Sequence, residues 1–390
     1  MAPPRRLRVA LVYDAVYPYT LGGVEHRNHT LARHWAGRVD VTFLGFGYWE
    51  ADPGRRLPGC RYVSIGRPRP LHDGAGKRRL TDALAAAVGT VRALWRSDAD
   101  VWEIANIAYF PVVAARVVAW LRRKPLVVTW HELFGDHWEA YLGSRYAARL
   151  ARRVERLALW CTPTAVAVSP LTRDRMTAAG FPAGRVVLIP NGVDAEGIAS
   201  LEPAADGCDL VYAGRLAPHK RVDLALKAFA RLRATHPGLT FRVIGDGPAR
   251  PGLERLAGEL GVADGVRFDG FLPDEVDVFR RMKAARAAVL PSAREGFGLT
   301  LAQAWACGLP AVVCAGRENA MAGLVTDPLL GRVVAPDEAA VAVGCAAVLA
   351  DGSVERRAAR AAWALARYDH RRVAGAVADV FEAAGRRRVT

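Results

Sequence analysis

The chain has 390 residues, of which 52% are apolar and 24% charged, and its net charge is +15 at pH 7. That length is too great for one comfortable core and suits two domains of just under about 200 residues each. The balance is that of a soluble globular protein, not a disordered or fibrous one. Residues 1–6 lead straight into a strand, with no secretory signal. The longest apolar stretch, 112–121, is interrupted by Arg116 and is too short to cross a bilayer. The expectation is therefore a cytoplasmic protein with no transmembrane segment. Six cysteines (Cys60, Cys161, Cys208, Cys307, Cys314, Cys345) lie far apart with no metal-ligand spacing, which points to reduced, buried thiols.

In chain order, short β-rich runs alternate with alanine-rich helical stretches. The first half offers strands at 8–13, 39–44, 60–65, 101–104, 126–130, 165–168 and 186–189. The second offers 209–213, 240–244, 266–268, 287–290, 311–314 and 332–334. Such alternation predicts parallel sheets with crossover helices. The polar, proline- and glycine-bounded stretch 201–207 reads as a linker, so the domain boundary is placed near residue 200. Basic clusters occur at Lys77-Arg78-Arg79, Arg122-Arg123-Lys124 and Arg386-Arg387-Arg388. A helical segment, 145–160, carries Arg145, Arg149, Arg152, Arg153 and Arg156 among Leu and Ala. The positive excess calls for an anionic partner or surface. A basic amphipathic helix suits peripheral contact with anionic membrane at its inner face, or simply a solvated face. No zinc spacing, aromatic ribonucleoprotein motif or basic zipper supports nucleic-acid binding.

Three strand–loop–helix segments carry the chemistry. Pro291-Ser292-Ala293-Arg294-Glu295-Gly296-Phe297-Gly298-Leu299 follows an apolar strand and opens a helix that contains Gln303. Small residues let backbone N–H groups approach a ligand, and the helix start favours negative charge. Glu295 at the lip repels phosphate but accepts hydrogen bonds from sugar hydroxyls, a combination that suggests a sugar linked to phosphate. Upstream, Gly214-Arg215-Leu216 and Lys220 place two cations around a turn at a strand's C-terminal end, where open α/β sheets bind ligands. A planar fork and a point charge together suit a diphosphate. A third turn, Leu21-Gly22-Gly23-Val24-Glu25, opens the first helix. His131 stands at the end of the 126–130 strand, and no Asp-x-Asp pair stands at a strand's C-terminal end to hold a metal, so no metal cofactor is expected.

Gly22-Gly23-Val24-Glu25, Gly214-Arg215-Leu216 with Lys220, Gly245-Asp246-Gly247-Pro248 and Glu295-Gly296-Phe297-Gly298-Leu299 stand in the order seen in retaining glycosyltransferases of family 4, glycosyl transferases group 1. Ile189-Pro190-Asn191-Gly192-Val193-Asp194 also looks like that family's interdomain approach. The chain resembles this family over nearly its whole length. The resemblance implies an α/β GT-B fold, with two Rossmann-like doubly wound domains facing a central cleft. Residues 1–200 would form the acceptor-binding domain and 208–369 the nucleotide-sugar domain, with the last helix, about 370–390, returning to the first. It implies a UDP- or GDP-sugar donor and retaining, metal-independent transfer of a hexose to an acceptor hydroxyl, the departing phosphate taking the proton.

Among the residues, the resemblance implies that Glu295 holds donor-sugar hydroxyls and that the backbone of Phe297, Gly298 and Leu299 contacts phosphate. Arg215 and Lys220, with Gly22, Gly23 and Gly214, hold the diphosphate, and His131 lies near the donor sugar. Gly270 and Phe271 offer a base-side wall, with an edge strand as the alternative. Two departures stand out. Gln303 occupies the place of the family's ribose-binding glutamate, and Gly323 that of an acidic residue in many members. They leave room for a catalytically weakened, non-enzymatic partner of another transferase, beside a GT-B sugar-nucleotide epimerase or phosphorylase. The acceptor is not legible in the sequence.

Overall fold

The structure is a computed structural model that describes residues 6–20, 22–35, 37–70 and 78–386. Residues 1–5, Leu21, Lys77, Arg387 and Arg388, which figure in the sequence reading, lie outside the described residues. The chain divides into two compact units: Met1–Asn191 with His370–Thr390, and Gly192–Asp369.

In the first unit the strands are β1 (Leu7–Val12), β2 (Val39–Phe46), β3 (Arg61–Gly66), β4 (Val101–Ala105), β5 (Leu126–Trp130), β6 (Thr164–Ala167) and β7 (Val186–Leu188). They form one parallel sheet in the order β3-β2-β1-β4-β5-β6-β7. The helices are α1 (Gly23–His34), α2 (Leu80–Arg96), α3 (Phe110–Arg122), α4 (Trp138–Leu142), α5 (Arg145–Trp160) and α6 (Pro170–Ala178). Central strands read as predominantly apolar runs because helices cover both faces, with Glu103 of β4 the buried exception. Along β1, Ala10 and Val12 enter the core beneath α2, α3 and α5, while Val9 and Leu11 enter the opposite layer, as the two-residue period of a strand requires. Strand order reverses between β1 and β4, and the loops that follow them and β5 leave the same edge of the sheet.

The second unit starts with α7 (Ala195–Ser200). It continues through β8 (Cys208–Ala213), α8 (Val222–Thr235), β9 (Phe241–Ile244), α9 (Arg250–Glu259), β10 (Val266–Gly270), α10 (Glu275–Lys283) and β11 (Ala285–Leu290). After these come β12 (Arg294–Glu295), α11 (Leu299–Ala306), β13 (Ala311–Cys314), β14 (Glu318–Asn319), α12 (Ala320–Leu324), β15 (Gly331–Val334), α13 (Glu338–Leu349) and α14 (Val354–Tyr368). Its main sheet, also parallel, runs β10-β9-β8-β11-β13-β15, and β12 pairs with β14 apart from it. Residues 195–200, which the sequence reading put with the first half, belong here: α7 packs against α11 and α14. The last helix, α15 (His370–Arg386), is part of the first unit. There the Trp35 indole donates to the Ala374 carbonyl at 2.8 Å, and Trp35 meets Phe381 edge-on.

No described helix is long and apolar enough to cross a membrane. All six cysteines are free thiols.

Candidate active site

In the second unit the strand order reverses between β8 and β11, and a parallel sheet binds ligands at such a point, outside its C-terminal edge. The loops there pack backbone against backbone. Gly245, at φ +127°, lies so close to Gly214 that a Cβ would collide with the Gly214 carbonyl oxygen. Gly247 is pressed in the same way on the Leu216 carbonyl, and the Gly245 N–H donates to the Gly270 carbonyl at 2.8 Å. Three loop tips are thereby fused into one rigid floor, which only residues without a Cβ permit.

The two predicted cations rise from this floor. Arg215 is exposed on the turn after Gly214, and the carbonyl of Arg215 accepts from the Tyr212 hydroxyl at 3.1 Å. Lys220, half-buried, sets its Nζ 2.5 Å from Glu295 Oε1, which also accepts from the Ser292 hydroxyl at 2.9 Å. The Ala293 N–H donates to the His219 carbonyl at 2.8 Å, tying the two loops together.

The sequence predicts a glycine loop between the apolar strand 287–290 and the helix that follows. Instead, β12 pairs in parallel with β14, Glu295 opposite Asn319. The Asn319 amide donates to the carbonyls of Ser292 and Cys314, each at 2.9 Å, so the backbone that carries Glu295 is pinned. Two-residue strands have no periodicity to read.

Gly298, at φ +89°, caps the N-terminus of α11 and sits against the Met321 side chain. The Phe297 ring is buried against Tyr368, so that residue offers a ligand its backbone alone. Leu299 and Gln303 are half-buried on α11. Gly270, at φ +75°, ends the edge strand β10, and Phe271 beyond it is exposed.

The remaining predicted residues belong to the first unit. Gly22 caps α1, where a Cβ would crowd the buried Glu25 carboxylate; Gly23 has open space around its Cα. His131 leaves the end of β5 and is buried. Asn106, fully buried after β4, accepts from the His131 N–H at 2.9 Å and donates to the Glu132 carbonyl at 2.9 Å, fixing both residues. Burial, aided by repulsion from Arg27, pushes the imidazole down to about 3, so it is neutral at pH 7. Its Nε2 is buried without a hydrogen-bond partner among the described residues. Arg27 itself is buried 3.7 Å from Glu103, which accepts from the Thr129 hydroxyl at 2.5 Å.

A further cluster escaped the sequence. Glu155, buried on α5, accepts from the Tyr109 hydroxyl (2.7 Å), the N–H groups of Phe134 (2.7 Å) and Gly135 (2.9 Å), and the Trp138 indole (3.3 Å). The clue was a single carboxylate in a helix of five arginines. Phe134 stacks on Trp138, and Tyr141 closes edge-on against both.

Residues 196–363 match the family model described as glycosyl transferases group 1, and 22–192 match the glycosyl transferase 4-like domain. The chain is 32% identical to a glycogen synthase of Mycobacterium tuberculosis, over 97% of this chain and 95% of that one. The chain belongs to the group 1 glycosyltransferases. It is also 34% identical to the GDP-mannose-dependent alpha-(1-6)-phosphatidylinositol monomannoside mannosyltransferase of Mycolicibacterium smegmatis, over 49% of this chain and 53% of that one. The crystal structure of Anabaena HepE in complex with UDP and glucose matches with a TM-score of 0.75 at 19% identity, covering 97% of this transferase and all of HepE. The shared fold is GT-B.

Proposed function

We propose that this glycosyltransferase moves a hexose from a UDP- or GDP-sugar to an acceptor hydroxyl with retention of configuration and without a metal ion. The observation that carries the reading is the Lys220–Glu295 pair beside exposed Arg215, on a glycine-packed floor at the start of α11. As the glycosidic bond breaks, negative charge grows on the diphosphate, and catalysis requires donors already aimed at it. Arg215, Lys220 and the backbone N–H groups of Phe297 to Leu299 supply them. Glu295, held by Ser292 and the β12–β14 pair, accepts from donor-sugar hydroxyls. His131, kept neutral, hydrogen-bonds without adding charge. Gln303 offers the ribose one acceptor and two donors, and Gly270 and Phe271 flank the base. The leaving phosphate takes the acceptor's proton. HepE's UDP and the mannosyltransferase's GDP-mannose support a nucleotide diphosphate donor.

The test is thermal shift and slow donor hydrolysis with UDP-, GDP- and ADP-hexoses in the presence of a chelator. Stabilisation by one nucleotide series is expected. No response to any nucleotide sugar or nucleotide diphosphate favours the non-enzymatic partner; turnover lost to the chelator removes metal independence.

Peripheral contact with anionic membrane is part of the proposal, for a specific reason. On α5, Tyr146, Leu150, Leu157 and Trp160 are exposed beside Arg145, Arg149, Arg153 and Arg156; Tyr146 and Trp160 are 86% and 89% exposed. Apolar groups and cations on one helix face suit an interface with anionic lipid. Sedimentation with anionic vesicles should weaken as salt rises; salt-independent sedimentation, or none, removes the electrostatic argument.

A further inference from the structure

A cavity of about 310 Å³ opens in the first unit between the loop after β4, the loop after β5 and the helices α2, α4 and α5. Its walls are mainly apolar, with Tyr109, Phe134, Trp138 and Tyr141 on one side and Leu80 and Leu150 among the aliphatic residues. Arg78, a polar member of the lining, is committed elsewhere: its guanidinium binds Asp14 at 2.5 Å and the Tyr13 hydroxyl at 2.7 Å. Glu132, the neighbour of His131, also lines it.

We propose that this cavity takes the hydrocarbon chain of a lipid-linked acceptor, presenting the acceptor hydroxyl at Glu132 beside His131. The assignment rests on the transferase reading and adds the acceptor's chemical class.

The cavity is built before any ligand arrives. Consecutive non-glycine residues, Ala108 at φ +74° and Tyr109 at φ +39°, hold positive φ where β4 turns into α3. Such conformations are costly for residues with a Cβ and persist only where the surroundings enforce them. Here Glu155 enforces them, gripping Tyr109 and the aromatic loop at four points. The apolar walls therefore stand apart instead of collapsing on one another.

The choice of a hydrocarbon chain over a flat soluble ring comes from what adjoins the cavity. Leu80 and Leu150 line it and are also 60% and 61% exposed. From Leu80 the stripe continues along α2 through Leu84, Val88, Val91 and Trp95, all exposed at helical spacing. Leu150 belongs to the apolar and arginine-bearing face of α5. An apolar path thus runs from a surface suited to anionic lipid directly into the cavity, which a chain leaving a bilayer would follow. At about 30 Å³ per water-sized atom, the space holds a segment of roughly ten heavy atoms.

The experiment titrates the full chain with n-alkyl β-D-glucosides from hexyl to dodecyl below their micelle concentrations, read by tryptophan fluorescence and calorimetry. Affinity should rise roughly fourfold per added methylene while the cavity fills, then level off near decyl. Ala147→Trp, at an exposed position on the first turn of α5 that lines the cavity, should abolish the length dependence. An unchanged melting temperature certifies its fold. Flat length dependence, tighter binding of an aryl glucoside of equal carbon number, or indifference to Ala147→Trp overturns the proposal. UDP titrated in parallel separates the two readings. UDP bound without length dependence overturns the cavity assignment alone, whereas length dependence without UDP binding upholds the cavity's chain preference and sinks the donor reading.

Discussion

Replacing Glu155 with alanine is expected to destabilise the first unit by about 4 kcal/mol. The carboxylate is buried and accepts four hydrogen bonds, from Tyr109 Oη, two backbone N–H groups and the Trp138 indole. A buried donor stripped of its acceptor costs roughly 1–3 kcal/mol, and water entering the vacated space holds each loss near the low end. Glu155→Gln is the informative partner. Its carbonyl oxygen keeps the Gly135 and Trp138 bonds while its amide donates to the Tyr109 hydroxyl, which turns to accept, so the Phe134 N–H alone loses its partner and about 1 kcal/mol is lost with almost no change in volume. The assay is urea unfolding followed by tryptophan fluorescence, fitted with separate transitions for the two units. The expected order is wild type, Gln, then Ala, with alkyl-glucoside binding falling in step as the 134–138 loop loosens. An alanine variant within about 0.5 kcal/mol of wild type would refute the hub, because surface positions normally fall in that range.

Other substitutions probe the second unit and the buried imidazole. Gly245→Ala places a Cβ against the Gly214 carbonyl at φ +127°, and should cost the second unit at least about 2 kcal/mol and abolish UDP binding; a normal melting curve contradicts the packed floor. Lys220→Ala should lower donor turnover roughly 100- to 1000-fold, measured as nucleotide release, with the fold intact by circular dichroism; unchanged turnover removes the diphosphate role. His131 is neutral when folded, with its pKa down at about 3 against about 6.5 unfolded, so on acidification the unfolded chain takes up the proton first. Stability present above about pH 6.5 is then lost as pH falls toward 3, by about 2 kcal/mol at about pH 5. In His131→Gln that part of the slope should vanish; parallel pH profiles for variant and wild type would show the imidazole is not the group responsible.

Both sheets were legible because their central strands are predominantly apolar runs, a signal that survives a single charge such as Glu103 or Arg242 and needs no knowledge of the partner strand. The glycine turns were legible for a similar reason: a left-handed φ at Gly298 or Gly270 is a property of one residue and its neighbours. What stayed hidden depends on tertiary placement. Nothing local marks Glu295 and Asn319 as a strand pair, since two residues carry no period. The apolar cavity is assembled from α2, the loops after β4 and β5, and α5, with aromatic residues that read equally well as ordinary core. Residues 192–200 were misplaced because a polar, proline-bearing linker signal at 201–207 outweighed the short α7, whose packing on α11 and α14 no sequence pattern announces.

The electrostatics divide the chemistry between kinds of residue. A histidine at the end of a central strand could in principle serve as a cation for a diphosphate. Burial of the ring, with the charge of Arg27 adding to it, makes that protonation unfavourable, and lowering the ring's pKa to about 3 leaves a hydrogen-bonding group at working pH. In the proposed mechanism the leaving group's charge is then met by side-chain types more basic than imidazole. A guanidinium and an ammonium meet that need, and both stand on the glycine floor, where loop backbones are locked before the donor arrives. Lys220 Nζ lies 2.5 Å from Glu295 Oε1, so a diphosphate bound there competes with a carboxylate for the ammonium. Glu295→Gln should therefore tighten free UDP binding while weakening discrimination among the sugars attached to it, a pair of opposite effects that calorimetry with UDP and UDP-hexoses separates. Weaker binding of both would mean that the carboxylate positions Lys220 and does not compete for it.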